Sequence, residues 1–304
     1  MANISRSISN LRTSQRFQKR FSIGIRLVIA LILIFFSIFP VIWIVSASFN
    51  SSQSLSTQSL IPPRPSLLNY QRLFGLDPDY IFGDLLFQKW IFNSVKVSAI
   101  STVLSLMITT MAAYAFSRMR FKGRVAMLKA ILLIQVFPTL LALVAVYVLV
   151  FQFGEIIPAI GLNTHAGLIL VYLGGSMGLN IWLMKGFLDT IPRDIDESGM
   201  VDGASHFQIF WNLLLPLLRP ILVVIGVISF IGTYGDFILA RILLNDVNKY
   251  TLMVGLQIFT AGQFDQKWGV FAAGALIGAL PIMAIYYILQ DQIVGGLTQG
   301  SVKG

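Results

Sequence analysis

Residues 193–216 read RDIDESGMVDGASHFQIFWNLLLP, a long polar interruption in a chain that is otherwise strongly apolar. With Asp189 just upstream, this stretch gathers five acids (Asp189, Asp194, Asp196, Glu197 and Asp202) in a protein that has thirteen. Ile191-Pro192 predicts a helix start, because proline at the first helical position gives up an N–H that has no partner there. Asp194, Asp196 and Glu197 suit the positive end of the helix dipole. Asp202-Gly203 predicts the stop, since glycine takes the left-handed geometry that ends a helix at low cost. Ser205 can cap a second helix, in which Phe207, Phe210, Trp211 and Leu214 recur at intervals of three and four. Pro216 is expected to close it. The stretch therefore reads as a short helix, a glycine turn and a second helix with an apolar stripe.

Outward from this pair, the chain reads as membrane. Of 304 residues, 56% are apolar and 12% charged, against about 25% charged in an average soluble domain. The apolar residues come in blocks of about 20 or more, the length of helix that crosses roughly 30 Å of hydrocarbon. Six such blocks are predicted, at about 27–47, 90–116, 127–151, 167–187, 217–239 and 270–293. They leave a basic leader at 1–26, outer loops at 49–89, 152–165 and 241–268, the inner loop 188–216 and a tail at 294–304. Val45-Ser46-Ala47 resembles a signal cleavage site, but the first block exceeds the 7 to 15 residues of a signal h-region. A retained first span is the better reading. Pro138 falls near the middle of the third block, and Gly174, Gly175, Ser176 and Gly178 interrupt the fourth.

Six spans put both termini on one side, and the charges agree. Fifteen Lys and Arg fall on the predicted inner side and seven on the outer. The short loop holding Arg118, Arg120, Lys122 and Arg124, with no acid, gives the clearest positive-inside signal. The net charge of +9 is thus an orientation signal and not a nucleic-acid footprint. Cysteine is absent, and His165 and His206 stand 41 residues apart, so Cys-based chemistry is excluded and no metal site is expected.

A charged helix pair between spans either floats on the lipid surface or docks on a partner. An interfacial helix is usually rich in Lys and Arg on its polar face, and none occurs from Asp194 to Leu218. Docking on a protein is the stronger reading.

The spacing Glu197, five residues, Gly203, nine residues, Leu213, one residue, Leu215-Pro216 resembles the EAA loop of ABC importer permeases. That pattern runs Glu-Ala-Ala, three residues, Gly, nine residues, Ile, one residue, Leu-Pro. Here Ser198-Gly199 replaces the Ala pair and Leu213 the Ile. The tail Gly296-Leu297-Thr298 with Val302-Lys303-Gly304, and Tyr250-Thr251-Leu252-Met253-Val254-Gly255-Leu256, are similar to the maltose-type branch, in the position of its second permease subunit. The resemblance implies an all-α integral membrane fold: a six-transmembrane-helix, type I importer permease with cytoplasmic coupling helices. It implies a bacterial inner-membrane location with both termini cytoplasmic. The implied partners are a dimer of ATP-binding subunits, a second permease, an external sugar-binding protein and the lipid bilayer. No cofactor is expected in this chain, with ATP and Mg held by the partner.

Carried onto these residues, the resemblance implies that Glu197, Ser198, Gly199, Asp202, Gly203, Ala204, Leu213, Leu215 and Pro216 couple the permease to the ATPase subunit. It also implies that the last outer loop, with Gln257, Thr260, Ala261, Gly262 and Gln263, reaches into the binding protein. Phe207, Phe210 and Trp211 could face the spans or the partner.

Four polar residues, Gln135, Asn180, Tyr234 and Asp236, are candidates for a substrate pathway. Hydrogen bonding between helices explains the first three equally well. Asp236 is the one acid placed within a span, and pairing with Arg241 is its plain explanation. The sequence holds no HExxH, serine elbow or GxxxxGK[ST] phosphate loop, so energy must come from another subunit. A stand-alone secondary carrier or channel is the competing class, and within the family a permease for another small solute is the alternative. Such carriers are often built from internal repeats, and none is visible.

Overall fold

The computed structural model describes residues 2–53, 59–77, 86–262 and 266–299, with side chains except those of 2–20, 139 and 293–299. Helices account for nearly all of it: α1 (Ala2–Phe49), α2 (Leu68–Leu73), α3 (Leu86–Arg118), α4 (Arg124–Val136), α5 (Thr139–Ile156) and α6 (His165–Leu188). They continue as α7 (Asp194–Val201), α8 (His206–Leu217), α9 (Arg219–Tyr234), α10 (Ile238–Leu243), α11 (Leu252–Gln257) and α12 (Trp268–Gln299). Among the described residues there is no strand, only an isolated bridge between Asn50 and Pro65.

Four helices are long and apolar enough to cross a bilayer: Phe21–Phe49 of α1, Leu86–Arg118, His165–Leu188 and Trp268–Gln292. The number reaches six if each of two bent pairs counts as one span. The predicted third span is one of these pairs. It breaks between α4 and α5 with a bend of 106°. Pro138 has no N–H to continue the ladder, and it drives Phe137 before it to an extended conformation with ψ 127°.

The fifth span departs from expectation at both ends. Its start is a 75° bend between α8 and α9. Pro216 does not close α8, which runs on to Leu217. The change of direction comes at Leu218, whose N–H is shared between the carbonyls of Leu214 and Leu215, just ahead of Pro220 in the first turn of α9. At the other end α9 stops at Tyr234, short of the expected boundary near 239, and α10 follows a brief break.

The leader with the first span, and the fourth span, are each continuous helix. The basic leader and the first span form one helix of 48 residues, about 72 Å at 1.5 Å per residue and far longer than a bilayer core. The fourth span runs unbroken through its glycines, and one of them has a packing reason. A Cβ at Gly178 would sit 2.2 Å from Nε2 of Gln135 on α4.

At the centre α3 packs along α6 and α9. One apolar core lies at the end of the bundle opposite Arg118, where Trp90, Leu168, Tyr234, Leu252, Leu256 and Phe259 are fully buried. The predicted last outer loop is therefore largely part of the core: its helix α11 packs there, with Gly255 so close to Trp90 that an added Cβ would run into the ring. A second core lies at the basic end, built from Tyr114, Met184, Leu188, Ile209, Phe210, Leu214 and Ile225.

Candidate functional site

The polar loop folds as two helices joined by a turn, two positions later than expected at its start. Arg193 occupies the N-cap and the first helical residue is Asp194, so Pro192 precedes the helix instead of beginning it. Asp194, Asp196 and Glu197 fill the first turn, at the positive end of the dipole. Gly203 takes φ +81° and turns the chain, with the Ala204 N–H reaching back to the Gly199 carbonyl at 2.9 Å. Ser205 then caps α8. Its Oγ accepts from the Gln208 N–H while Gln208 Oε1 accepts from the Ser205 N–H, a reciprocal box legible in the spacing Ser-x-x-Gln but not expected above.

The apolar stripe of α8 is not the one its three- and four-residue spacing suggests. Ile209–Leu214 forms a π-helical turn, in which hydrogen bonds skip to the fifth residue and the faces rotate. Ile209, Phe210 and Leu214 consequently point into the basic-end core. Phe207 and Trp211 stack on each other outside it, 71% and 53% exposed. Gly199 makes the close approach of the two helices possible: a Cβ there would lie 3.0 Å from Leu213 and 3.1 Å from Ile209.

Between the helices is a cleft of about 300 Å³ lined by Gly199, Asp202, Gly203, Ala204, Gln208, Asn212 and Leu213. It gathers five of the residues assigned to coupling. Glu197 and Ser198 lie on the exposed face of α7, where Ser198 Oγ donates to the Asp194 carbonyl. Leu215 packs partly into the basic-end core and Pro216 is exposed, both at the far end of α8 from the glycine turn.

Two of the five acids do not belong to the outer face. Asp196 is buried and forms an ion pair with Arg118 at the end of α3, Nε to Oδ2 2.9 Å. Asp189 accepts from Ser117 Oγ at 2.6 Å and from Lys185. Burial works against the Asp189 carboxylate, but the Lys185 and Ser117 hydrogen bonds outweigh it and hold its carboxyl below the usual range. Sequence reading missed the Ser117–Asp189 and Arg118–Asp196 contacts because their partners lie more than 70 residues apart, whereas Lys185–Asp189 is a local contact between residues four apart.

The pathway candidates scatter. Asn180 is buried and donates to Ser105 and Ser229, tying α6 to α3 and α9. Tyr234 donates to the Gly278 carbonyl at 2.8 Å. Gln135 reaches the Gly175 carbonyl and lines a cavity of about 720 Å³ between α4, α5 and α6, otherwise walled by apolar side chains and glycine. Asp236 is not inside a helix, nor is it paired with Arg241. It sits in the break between α9 and α10, where its Oδ2 accepts from Tyr172 Oη at 2.9 Å and from the Ala240 N–H at 3.0 Å. Arg241 lies instead over the Tyr250 ring. The acid is explained by the open backbone of the new helix start.

At the opposite end, Gln257 closes α11 and its carbonyl accepts from the N–H groups of Thr260 and Ala261. The Lys267 N–H to Phe259 carbonyl bond, 2.7 Å, joins the two stems of the following loop. Thr260 and Gly262 are half-buried and Ala261 is exposed, while Gln263 lies outside the described residues. No group of three or more His, Cys, Asp or Glu able to hold a metal occurs among the described residues.

A family model described as "binding-protein-dependent transport system inner membrane component" matches residues 105–299, from the middle of α3 to the end of α12. The chain belongs to this family. The match contains the whole two-helix loop together with the π turn and the α8–α9 bend. The family member from Vibrio vulnificus called "maltose/maltodextrin transport system permease protein MalG" is 44% identical over 272 residues, covering 88% of this chain and 91% of that protein. The protein of the same description from Escherichia coli K12 is 42% identical over 271 residues, 88% and 90%. Among solved structures, a bacterial ABC transporter involved in the import of the acidic polysaccharide alginate shares the fold with TM-score 0.75 at 22% identity, over 90% of this chain and 96% of that one. The MetNI methionine ABC transporter matches at TM-score 0.52, over 69% of this chain and 96% of that one.

Proposed function

We propose that this chain is a membrane-spanning subunit of an ATP-driven, binding-protein-dependent importer for maltose, maltodextrins or a closely related sugar, in the position of the second permease. The observation that carries this reading is the 40–44% identity to maltose/maltodextrin permeases over 88% of the chain. The basic end, with Arg118 to Arg124 and the α7–α8 pair, faces the cytoplasm of a bacterial inner membrane, and both termini lie on that side. A dimer of ATP-binding subunits docks on α7 and α8 and holds the ATP and Mg. This chain hydrolyses nothing itself and holds no cofactor.

On this reading each part of the pair has a task. Glu197 and Ser198 offer polar contacts on the outer face of α7. The exposed Phe207–Trp211 stack supplies an apolar anchor of the kind enriched at interface centres. The glycine turn and the cleft at Gly199, Asp202, Ala204 and Leu213 keep the knob compact, and Leu215 and Pro216 carry its motion through the bend at Leu218 to α9. At the other end, the loop after Gln257, with Thr260, Ala261, Gly262 and Gln263, contacts the external sugar-binding protein. Gln135, Asn180, Tyr234 and Asp236 are the residues to examine for contact with passing sugar.

The test is reconstitution. The chain, a second permease and ATPase subunits in liposomes, supplied with maltose-loaded binding protein, should take up labelled maltose only with ATP inside. Uptake by this chain without any ATPase subunit would establish a stand-alone carrier instead.

A further inference from the structure

The coupling helix α7 is short and hinged at both ends. Before it lies a connector of five residues, Asp189 to Arg193, and after it the glycine turn at Gly203. A push on such a helix would be absorbed by rotation at the hinges unless something held it to the spans. The structure contains that hold.

Arg118, the last residue of α3, sends Nη2 to the Ile191 carbonyl in the connector at 2.9 Å, while its Nε meets Asp196 on α7 at 2.9 Å. The connector answers in the reverse direction: Arg193 Nη2 donates to the carbonyl of Ser117 at 3.3 Å. Ser117 Oγ in turn donates to Asp189, which Lys185 of α6 also grips. Three elements meet here, and the side chains at the centre are nearly closed to solvent, Arg118 8% and Asp196 11% exposed. A guanidinium suits the junction because Nη2 donates to the Ile191 carbonyl while the same delocalised charge lies against the Asp196 carboxylate as an ion pair.

We infer that Arg118 is a positioning residue that clamps α7, through Asp196 and the Ile191 carbonyl, to the ends of α3 and α6, so that displacement of α7 moves two spans as one body. Asp196 faces inward to this clamp, and its neighbour Glu197 faces outward to the partner. The transmitting role rests on the proposed importer function, whereas the mechanical hold does not depend on it.

The two are separated by two measurements. The native chain has no cysteine, so nitroxides on Met111→Cys of α3 and Val201→Cys of α7 are the only labels, and their distance distribution is read in the full chain in nanodiscs. R118Q and D196N should each broaden that distribution at least twofold, and the reversed pair R118D/D196R should narrow it again. An unchanged width in both single variants overturns the clamp. Should R118Q not accumulate, D196N decides by the same criterion, since it keeps the side-chain shape and leaves the Arg118 bond to Ile191 in place.

In the reconstituted transporter, R118Q and D196N should keep ATP turnover within about threefold of the unaltered protein and raise the ATP spent per sugar at least tenfold. An ATP-to-sugar ratio within twofold of the unaltered protein, with broadened distances, overturns the transmitting role. Absence of ATP-driven uptake by the unaltered transporter would overturn the importer reading, and the distance widths would still decide whether the hold itself exists.

Discussion

The rings of Phe207 and Trp211 stack with centroids 6.1 Å apart and planes 11° from parallel, and both lie open, while Phe210 between them is buried against Tyr114. A helix of 3.6 residues per turn would put Phe207, Phe210, Trp211 and Leu214 on one side; the π turn divides them. On the proposed orientation this exposed aromatic pair faces the ATPase subunit. Phe207→Ala and Trp211→Ala should each weaken retention of the ATPase subunit at least tenfold in co-purification. Thermal stability of the chain itself should change little, as for surface substitutions in general.

Gly203 at φ +81° gives a second test. Space for a Cβ is open there, so backbone conformation alone opposes substitution. A non-glycine residue in that region loses about 1–2 kcal/mol. Gly203→Asp adds charge beside Asp202, and Glu197→Lys reverses a charge on the proposed docking face. Both variants should reach the membrane at near-normal levels while sugar uptake falls and ATP hydrolysis persists, measured side by side in vesicles.

A third prediction concerns stability alone. Gly255→Ala would drive a methyl into the Trp90 ring, whose Nε1 is fixed by the Val247 carbonyl at 2.8 Å. Overpacking of this sort costs about 1–3 kcal/mol. Thermal unfolding in detergent should come at a clearly lower temperature, whereas Gly175→Ala, with open space around its Cβ, should leave the midpoint close to the original.

Asp189 makes the loop sensitive to acid. Its carboxyl is depressed in the folded protein, so the stabilisation it gives is present above its unfolded pKa and is lost as pH falls through the lower folded value. The window therefore opens near the ordinary carboxylate pKa of about 3.9 and extends below it. Proteolysis of the α6–α7 connector should speed up on acidification in the unaltered protein. In Asp189→Asn that acid-dependent step should be smaller.

Much of this was legible in the residues. The apolar blocks announced the four long apolar helices, Asp202-Gly203 the turn, Ser205 the cap, and the Glu197–Gly203–Leu215-Pro216 spacing the family. What stayed hidden depends on tertiary context. Pro138 reads equally as a kink within a span and as a break of 106°, because its local effect on Phe137 does not say which way the next helix leaves. The π turn has no residue signature, so the periodicity of α8 grouped Phe207 and Trp211 with Phe210 and did not tell which rings enter the core. Asp236 reads as part of a continuous helix because only the lone Gly235 hints that a new helix begins beyond Tyr234. The Arg118–Asp196 pair spans 78 positions, and nothing local marks Asp196, among five acids, as the one that turns inward.

The central claim is that the α7–α8 pair is the docking site of the ATPase subunit on the cytoplasmic side. A photo-crosslinking amino acid placed at Glu197, with Asn248 at the opposite end as the comparison, tests it in membrane vesicles containing the assembled transporter. The account predicts an adduct with the ATPase subunit from position 197 and none from position 248. An adduct from 248 and none from 197 would contradict it.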